Sequence, residues 1–77
     1  YYMRANAYYK TGNNQLAVAD YTKVIELKGD VADYYNDRGL SYFDLQQYDK
    51  AVQDYNKALD IQPKHAFAYL NRGMAYY

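Results

Sequence analysis

Few residues in this chain have the type and spacing that catalysis needs. His65 is the only histidine, and there is no cysteine. A general base needs a reacting group within reach, and a metal needs several ligands. His65 has neither a cysteine nor a second histidine to join it, and it falls in a turn, so it reads as a surface residue. Asp30 and Asp33 flank a helix start, where carboxylates cap backbone N–H groups and meet the helix dipole. Ser41 has no helical histidine near it in sequence and is expected to face a packed interface. No glycine-rich phosphate loop occurs. These residues predict a non-enzymatic chain with no cofactor and no metal site. Among the charged residues that recur at fixed spacing are Arg4, Arg38 and Arg72, together with Asp20 and Asp54. Their chemistry is pairing: Arg38 is expected to meet Asp54 or Asp20 and so tie neighbouring helices together. An exposed pair of this kind contributes about 0–1 kcal/mol.

The arginine spacing belongs to a longer register. Tyr1, Tyr35 and Tyr69 recur at the interval that separates Arg4 from Arg38, as do Tyr8, Tyr42 and Tyr76. Ala17 and Ala51, Asp20 and Asp54, and Tyr21 and Tyr55 follow the same spacing. Of the 43 residue pairs separated by 34, 13 are identical. A strict period in this range marks a solenoid built from repeated supersecondary units. The functional question therefore moves from an active site to a surface that holds a partner.

Five helices must position these residues. They are expected over Tyr1–Thr11, Asn14–Leu27, Ala32–Leu45, Tyr48–Ile61 and Ala66–Tyr77, each with apolar residues at helical spacing. Ala17, Val18, Tyr21, Val24, Ile25 and Leu27 form one apolar stripe. Ala51, Val52, Tyr55, Ala58, Leu59 and Ile61 form another. Gly12-Asn13-Asn14 is expected to supply a left-handed turn and an N-cap. Lys28-Gly29-Asp30 is expected to supply a C-terminal glycine and an acidic cap. Pro63 ends the fourth helix. Such short connections force antiparallel neighbours. No segment reads as a strand.

Composition narrows the partner. Nine basic residues balance nine acidic ones over 77 residues, so no net field steers the chain to nucleic acid or an anionic membrane. No apolar run approaches the ~20 residues of a membrane span. The absence of cysteine is compatible with the cytoplasm. No signal peptide is visible, and the chain starts and stops in mid-pattern, as part of a longer array does. Tyrosine contributes 13 residues. Its ring can fill a thin core while its hydroxyl reaches water.

The segment from Ala32 to His65 resembles the tetratricopeptide repeat (TPR) along its whole length. It supplies Tyr35, Arg38-Gly39, Tyr42, Ala51, Tyr55, Ala58 and Pro63 at the positions of the family pattern. The preceding segment supplies Tyr1, Ala5, Tyr8, Ala17, Tyr21 and Val24, with Gly29 where proline is usual. The last supplies Tyr69, Gly73 and Tyr76. On this resemblance residues 1–31 form a first repeat lacking three positions, 32–65 a complete second, and 66–77 the first helix of a third. Arginine stands where the family usually has an aliphatic residue before the glycine. The small residues Ala5, Gly39, Gly73, Ala17 and Ala51 let helices approach closely. Gly39→Leu is expected to overpack that contact at a cost of about 1–3 kcal/mol.

The resemblance implies an all-α fold: helix-turn-helix repeats stacked as a right-handed α-solenoid, with the first helix of each repeat lining a concave face. Carried over by position, the first repeat contributes Tyr2, Asn6, Tyr9 and Lys10. The second contributes Asp33, Asn36, Asp37, Leu40, Phe43 and Asp44. The third contributes Phe67, Leu70, Asn71, Met74 and Tyr77. Aromatic and apolar groups with a polar rim suit an extended or helical peptide, so a protein-interaction scaffold is the expected function. The alternative is self-association through uncapped solenoid ends, by stacking or by helix exchange. Asp33, Asp37 and Asp44 argue against RNA. Some family members clamp the C-terminal carboxylate of chaperone tails with lysine, asparagine and arginine. The matching positions here are Tyr2, Asn6, Asp37, Phe67 and Asn71, of which only Asn6 agrees, so a chaperone tail is argued against.

Overall fold

The computed structural model describes residues 1–64 and 70–73. Four helices run in order: α1 (Tyr2–Lys10), α2 (Asn14–Leu27), α3 (Ala32–Asp44) and α4 (Tyr48–Ile61). Residues 70–73 are also helical, and no strand occurs among the described residues. Three ends of the expected first and third helices retract by one residue. The second and fourth match residue for residue. His65, Phe67, Met74 and Tyr77, with most of the fifth expected helix, lie outside the described residues.

Each helix packs on the next, so α2 sits between α1 and α3. The first hairpin closes over Ala5, Ala17 and Tyr21, with Tyr2, Tyr8 and Tyr9 packed around them. The second closes over Ala32, Ala58 and Leu59, with Tyr35 and Ile61 at its edge. Tyr21 and Tyr55 are the largest fully buried side chains. The small residues opposite them explain this. A Cβ added at Gly39 would lie 2.5 Å from Tyr55 Cε1 and 2.8 Å from Cδ1, so the Tyr55 ring occupies the space a side chain would take. Ser41 is fully buried, as expected, and its hydroxyl donates to the Asp37 carbonyl at 3.4 Å. Leu27 departs from its stripe. It is exposed at the C-terminal end of α2.

The two hairpin turns are copies of one another. Gly12 (φ 81°) and Gln46 (φ 63°) hold the same position in successive repeats, and both are left-handed. The Asn13 N–H donates to the Tyr8 carbonyl at 2.8 Å, and the Gln47 N–H donates to the Tyr42 carbonyl at 2.9 Å. The repeat geometry thus overrides the preference for glycine at Gln46. Capping differs from expectation. Asn13 is the N-cap of α2, but its side chain makes no capping bond and its amide donates to Thr11 Oγ1 at 3.0 Å. Gly29 is not left-handed, and Val31, not Asp30, is the N-cap of α3. Asp33 does lie in the first turn of α3, where its charge favours the dipole.

The arginines form a ladder. Arg4 holds Asp20 through Nε–Oδ2 (2.6 Å) and Nη2–Oδ1 (2.8 Å). Arg38 holds Asp54 in the same bidentate way, at 2.8 and 2.7 Å. Of its two expected partners, Arg38 takes Asp54, because Asp20 is held by Arg4. Its remaining Nη1 donates to Thr22 Oγ1 on α2 at 3.1 Å, and Arg72 Nη1 donates to Asn56 Oδ1 at 3.0 Å. Thr22 and Asn56 are again equivalent positions of successive repeats. The Arg38 guanidinium also sits over the rings of Tyr35 (5.7 Å) and Tyr42 (5.8 Å), a favourable cation–π arrangement.

Candidate partner-binding face

Side chains join α1 to α3. Tyr2 Oη donates to Asp37 Oδ2 at 2.6 Å. The Tyr2 ring lies 4.8 Å from that of Tyr34 and 6.0 Å from that of Tyr21, tilted in both cases. The charge of Asp44 acts on Tyr9 at the other end of the face. The repeat explains why tyrosines collect here. Tyr21, from α2, reaches through to α1, where its hydroxyl donates to Asn6 Oδ1 at 2.5 Å.

Asn6 has Leu40 as its counterpart in the next repeat. The hydroxyl of Tyr55, which corresponds to that of Tyr21, is fully buried and has no hydrogen-bond partner among the described residues. Leucine cannot accept a bond where asparagine does, so the second repeat leaves this hydroxyl unsatisfied. Buried polar groups are usually paired, and an exception calls for a local reason. Here the reason is the Asn-to-Leu change between repeats.

The phenols respond to their surroundings. Burial, followed by the hydrogen bond to and the charge of Asp37, pushes Tyr2 up to about 12. Burial, helped by Asp44 and Asp37, also raises Tyr9. Burial raises Tyr21 and Tyr55, with Asp37 adding to the first and Tyr9 and Asp44 to the second. All four phenols stay neutral at physiological pH. They feel a negative potential from the same carboxylates.

The expected lining residues divide into four groups. Tyr2 and Asp37 meet across α1 and α3, Asn6 is held by Tyr21 of α2, the charge of Asp44 acts on Tyr9, and Asp33 and Asp44 are exposed. Leu40 and Phe43 are half-buried, and the Phe43 ring meets Tyr48 edge-on at 5.2 Å. Asn36 and Asn71 are 5% and 8% exposed, and the Asn71 amide donates to Asn36 Oδ1 at 3.0 Å. These two asparagines join successive first helices. They are enclosed by that pairing and not open to a partner. Leu70 is 66% exposed. Tyr34 was not among the expected residues. Its signal in the sequence is weak, since the repeat register gives it no tyrosine counterpart.

Among the described residues no cluster of histidine or carboxylate side chains could hold a metal ion. None of the described helices is long and apolar enough to cross a membrane. Shallow clefts lie at the two hairpin turns, beside Gln46–Lys50 and beside Gly12–Leu16.

Known structures resemble the chain closely. The TPR domain of Arabidopsis OM64 is 39% identical, with a TM-score of 0.95 over 96% of this chain and 61% of that domain. The second TPR domain of Spaghetti (RPAP3), bound to the HSP90 peptide SRMEEVD, is 28% identical, with a TM-score of 0.95, and 97% of this chain covers 69% of it. The second TPR domain of human RPAP3, in complex with the HSP70 peptide SGPTIEEVD, is 29% identical, with a TM-score of 0.90 over 94% and 60% of the two chains. The chain thus spans about three fifths to two thirds of these domains. No curated protein sequence matches it. These likenesses support protein or peptide binding. They lend no support to self-association, nor to the exclusion of a chaperone tail. A profile described as "TPR repeat" matches residues 5–46 and 39–77, and together these matches cover almost the whole sequence. The fold is the helical-hairpin solenoid expected of it, and the chain belongs to the TPR repeat family.

Proposed function

We propose that the chain is a non-catalytic scaffold that holds a peptide or the surface of a partner protein on the face shared by α1 and α3. The observation that carries this reading is the composition of that face. Aromatic rings (Tyr2, Tyr9, Tyr34), half-buried apolar side chains (Leu40, Phe43) and carboxylates occur together on these two helices, and the Tyr2 and Tyr34 rings meet between them. Rigid amphipathic rings give large contact area at small entropic cost, which suits a binding surface. The related domains of Spaghetti and human RPAP3 hold peptides, which supports a peptide-sized occupant. The division into repeats at 1–31, 32–65 and 66–77 is part of the same proposal. It assigns the first helix of each repeat to the binding face.

Within that reading we argue against an acidic chaperone tail as the occupant. Of the positions matching the family's carboxylate clamp only Asn6 agrees, and Asp37 is itself a carboxylate that would repel the tail. The test is a partner recovered with this chain and titrated against variants. Leu40→Ala and Phe43→Ala should each weaken it by about 1 kcal/mol or more, while Lys57→Ala, on the exposed side of α4, should not. Wild-type affinity in both groove variants, with helical content unchanged, removes this face from consideration.

A further inference from the structure

We propose that Tyr2 and Tyr34 form an oxidative modification site, at which a one-electron oxidant joins the two rings by a carbon–carbon bond and so ties α1 to α3 covalently. This goes beyond the binding reading and does not depend on it.

Coupling of two phenols needs rings in contact, access for the oxidant, and a base for the proton that an oxidised phenol loses. The first requirement singles out Tyr2. Among the described residues, tyrosine rings meet in two pairs, and Tyr2 belongs to both: its ring lies 4.8 Å from that of Tyr34 and 6.0 Å from that of Tyr21. The second requirement selects Tyr34. Tyr2 and Tyr34 are both half-buried, so each keeps an open edge. Tyr21 is 1% exposed, and its hydroxyl is committed to Asn6. The third requirement is met on the Tyr2 side. Its Oη donates to Asp37 Oδ2 at 2.6 Å, so a carboxylate already stands where the proton must go. A phenol that has lost an electron is a strong acid, and a hydrogen-bonded base takes its proton without a diffusional step. The site is a property of one junction. Asn36 and Ala68 hold the equivalent positions at the next, and neither side chain forms a phenoxyl radical.

The oxidant is a ruthenium(III) polypyridyl complex or the ferryl haem of a peroxidase, and each oxidising equivalent takes one electron. Tyr2 gives its proton to Asp37 and Tyr34 gives its own to water, which leaves two phenoxyl radicals. The radicals pair through ring carbons adjacent to the oxygen-bearing carbons, forming one carbon–carbon bond. The hydrogen on each joined carbon then moves to its oxygen, which restores both hydroxyls and both aromatic rings. Asp37 passes its proton to water. The net change is the loss of two protons and two electrons, and no atom is added.

The test illuminates the dilute chain with a ruthenium(II) polypyridyl complex and persulfate. The readouts are the blue fluorescence of coupled tyrosine, a denaturing gel, and mass spectrometry of proteolytic peptides. A monomer lighter by two hydrogens should dominate, with Tyr2 and Tyr34 in one cross-linked peptide. Tyr2→Phe and Tyr34→Phe should each lower the fluorescence of the monomer at least about tenfold, because contact is what favours this pair over the other tyrosines. Tyr21→Phe should leave it in place. Asp37→Asn keeps an acceptor for Tyr2 but a far weaker base, so coupling should slow several-fold and recover in part with added acetate. Circular dichroism checks that each variant stays folded. A product found only in covalent dimers, or a link that maps to other tyrosines, overturns the proposal. Full yield in Tyr34→Phe, or an unchanged rate in Asp37→Asn, overturns it too. If the same light couples free tyrosine and leaves the chain unlinked, the proposal fails. The binding face is judged separately, by the Leu40 and Phe43 variants.

Discussion

Tyr21 and Tyr55 hold equivalent positions in successive repeats, yet removing their hydroxyls should shift stability in opposite directions. Tyr21 Oη donates to Asn6 at 2.5 Å. Tyr21→Phe deletes that bond, and Asn6 is half-buried, so water recovers only part of what is lost. A net cost of about 0.5–1.5 kcal/mol follows. Tyr55 Oη has no partner among the described residues and no contact with solvent. Its desolvation is uncompensated, at about 1–3 kcal/mol for a group of this kind. Tyr55→Phe removes that penalty and opens only an oxygen-sized void, so it should leave stability unchanged or raise it by about 1 kcal/mol. The Leu40→Asn variant offers the missing acceptor and should make Tyr55 behave like Tyr21. Urea unfolding followed by circular dichroism measures all three, provided the slopes agree among variants. In a chain of this size 1 kcal/mol corresponds to about 4–8 °C in Tm, so the opposite signs are easily resolved. If Tyr55→Phe costs as much as Tyr21→Phe, the Tyr55 hydroxyl is satisfied and the argument from Asn6 and Leu40 is wrong.

Other expectations follow from the turns and the phenols. Gln46→Gly should stabilise the chain by about 0.5–1 kcal/mol, since a left-handed residue with a Cβ carries a strain that glycine avoids; the reverse change, Gly12→Gln, should destabilise by a similar amount. The same urea titration measures both. Tyr2, Tyr9, Tyr21 and Tyr55 all have phenols raised above the ordinary value of 10.0. A raised phenol favours the folded state while neutral, so its contribution is complete below pH 10 and is lost as pH climbs toward about 12, the value reached by Tyr2. Ultraviolet titration of tyrosinate should therefore show a late group of phenols that ionise together with loss of helical signal. Smooth titration of every tyrosine near pH 10, with the helices intact, would contradict this.

The fold was legible because it is written at two scales. Apolar spacing marks the helices, and the repeat register marks their order. Either alone leaves the stacking open, and together they define it. Gly39 and Tyr55 could be paired in advance, since a glycine facing an aromatic in a helical hairpin has one physical use. Capping was less legible. Gly29 and Asp30 have the right types for a C-cap and an N-cap, but the chain passes from α2 to α3 with Val31 extended and needs neither. The binding face was legible in outline and not in depth. Periodicity says which residues point toward the inner face. It does not say which of them the next repeat will cover. Asn36 and Asn71 point the right way and are enclosed because each is the other's partner. The unsatisfied Tyr55 hydroxyl was also readable in principle, from the Asn6-to-Leu40 change. Finding it requires knowing that the second-helix tyrosine extends as far as the first helix.

The arginine ladder shows what is gained by a charged residue where the family usually has an aliphatic one. An aliphatic side chain at position 38 could fill space between α3 and α4. Arg38 binds three helices at once: its own, Asp54 on α4 and Thr22 on α2. The two bonds to Asp54 lie within a repeat and the third crosses to the preceding one, so a shift of stacking by one helical turn breaks the set. Ionic groups of this sort can favour a single register at little gain in stability. The two pairs also differ in environment. Side-chain exposure is 58% for Arg4 but 18% for Arg38. The Arg4 guanidinium holds the Asp20 carboxyl below the usual carboxylate range, whereas burial outweighs Arg38 and pushes the Asp54 carboxyl up. On acidification the stabilising contribution of Asp20 is lost as pH falls through its lowered pKa, and Asp54 adds nothing to that loss. Arg38→Met leaves Asp54 enclosed without a counter-charge and should cost about 3 kcal/mol. Arg4→Met should cost less, because Arg4 itself is exposed and water can enter beside Asp20 once it is gone, although the Asp20 side chain is only 8% exposed. The double change Arg38→Met with Asp54→Leu should recover most of the loss, because two apolar side chains of similar size replace a buried pair. Equal losses for Arg4→Met and Arg38→Met would show that enclosure does not govern the ladder. Failure of the double variant to recover would show that Thr22, and the contact between repeats, carries the larger share.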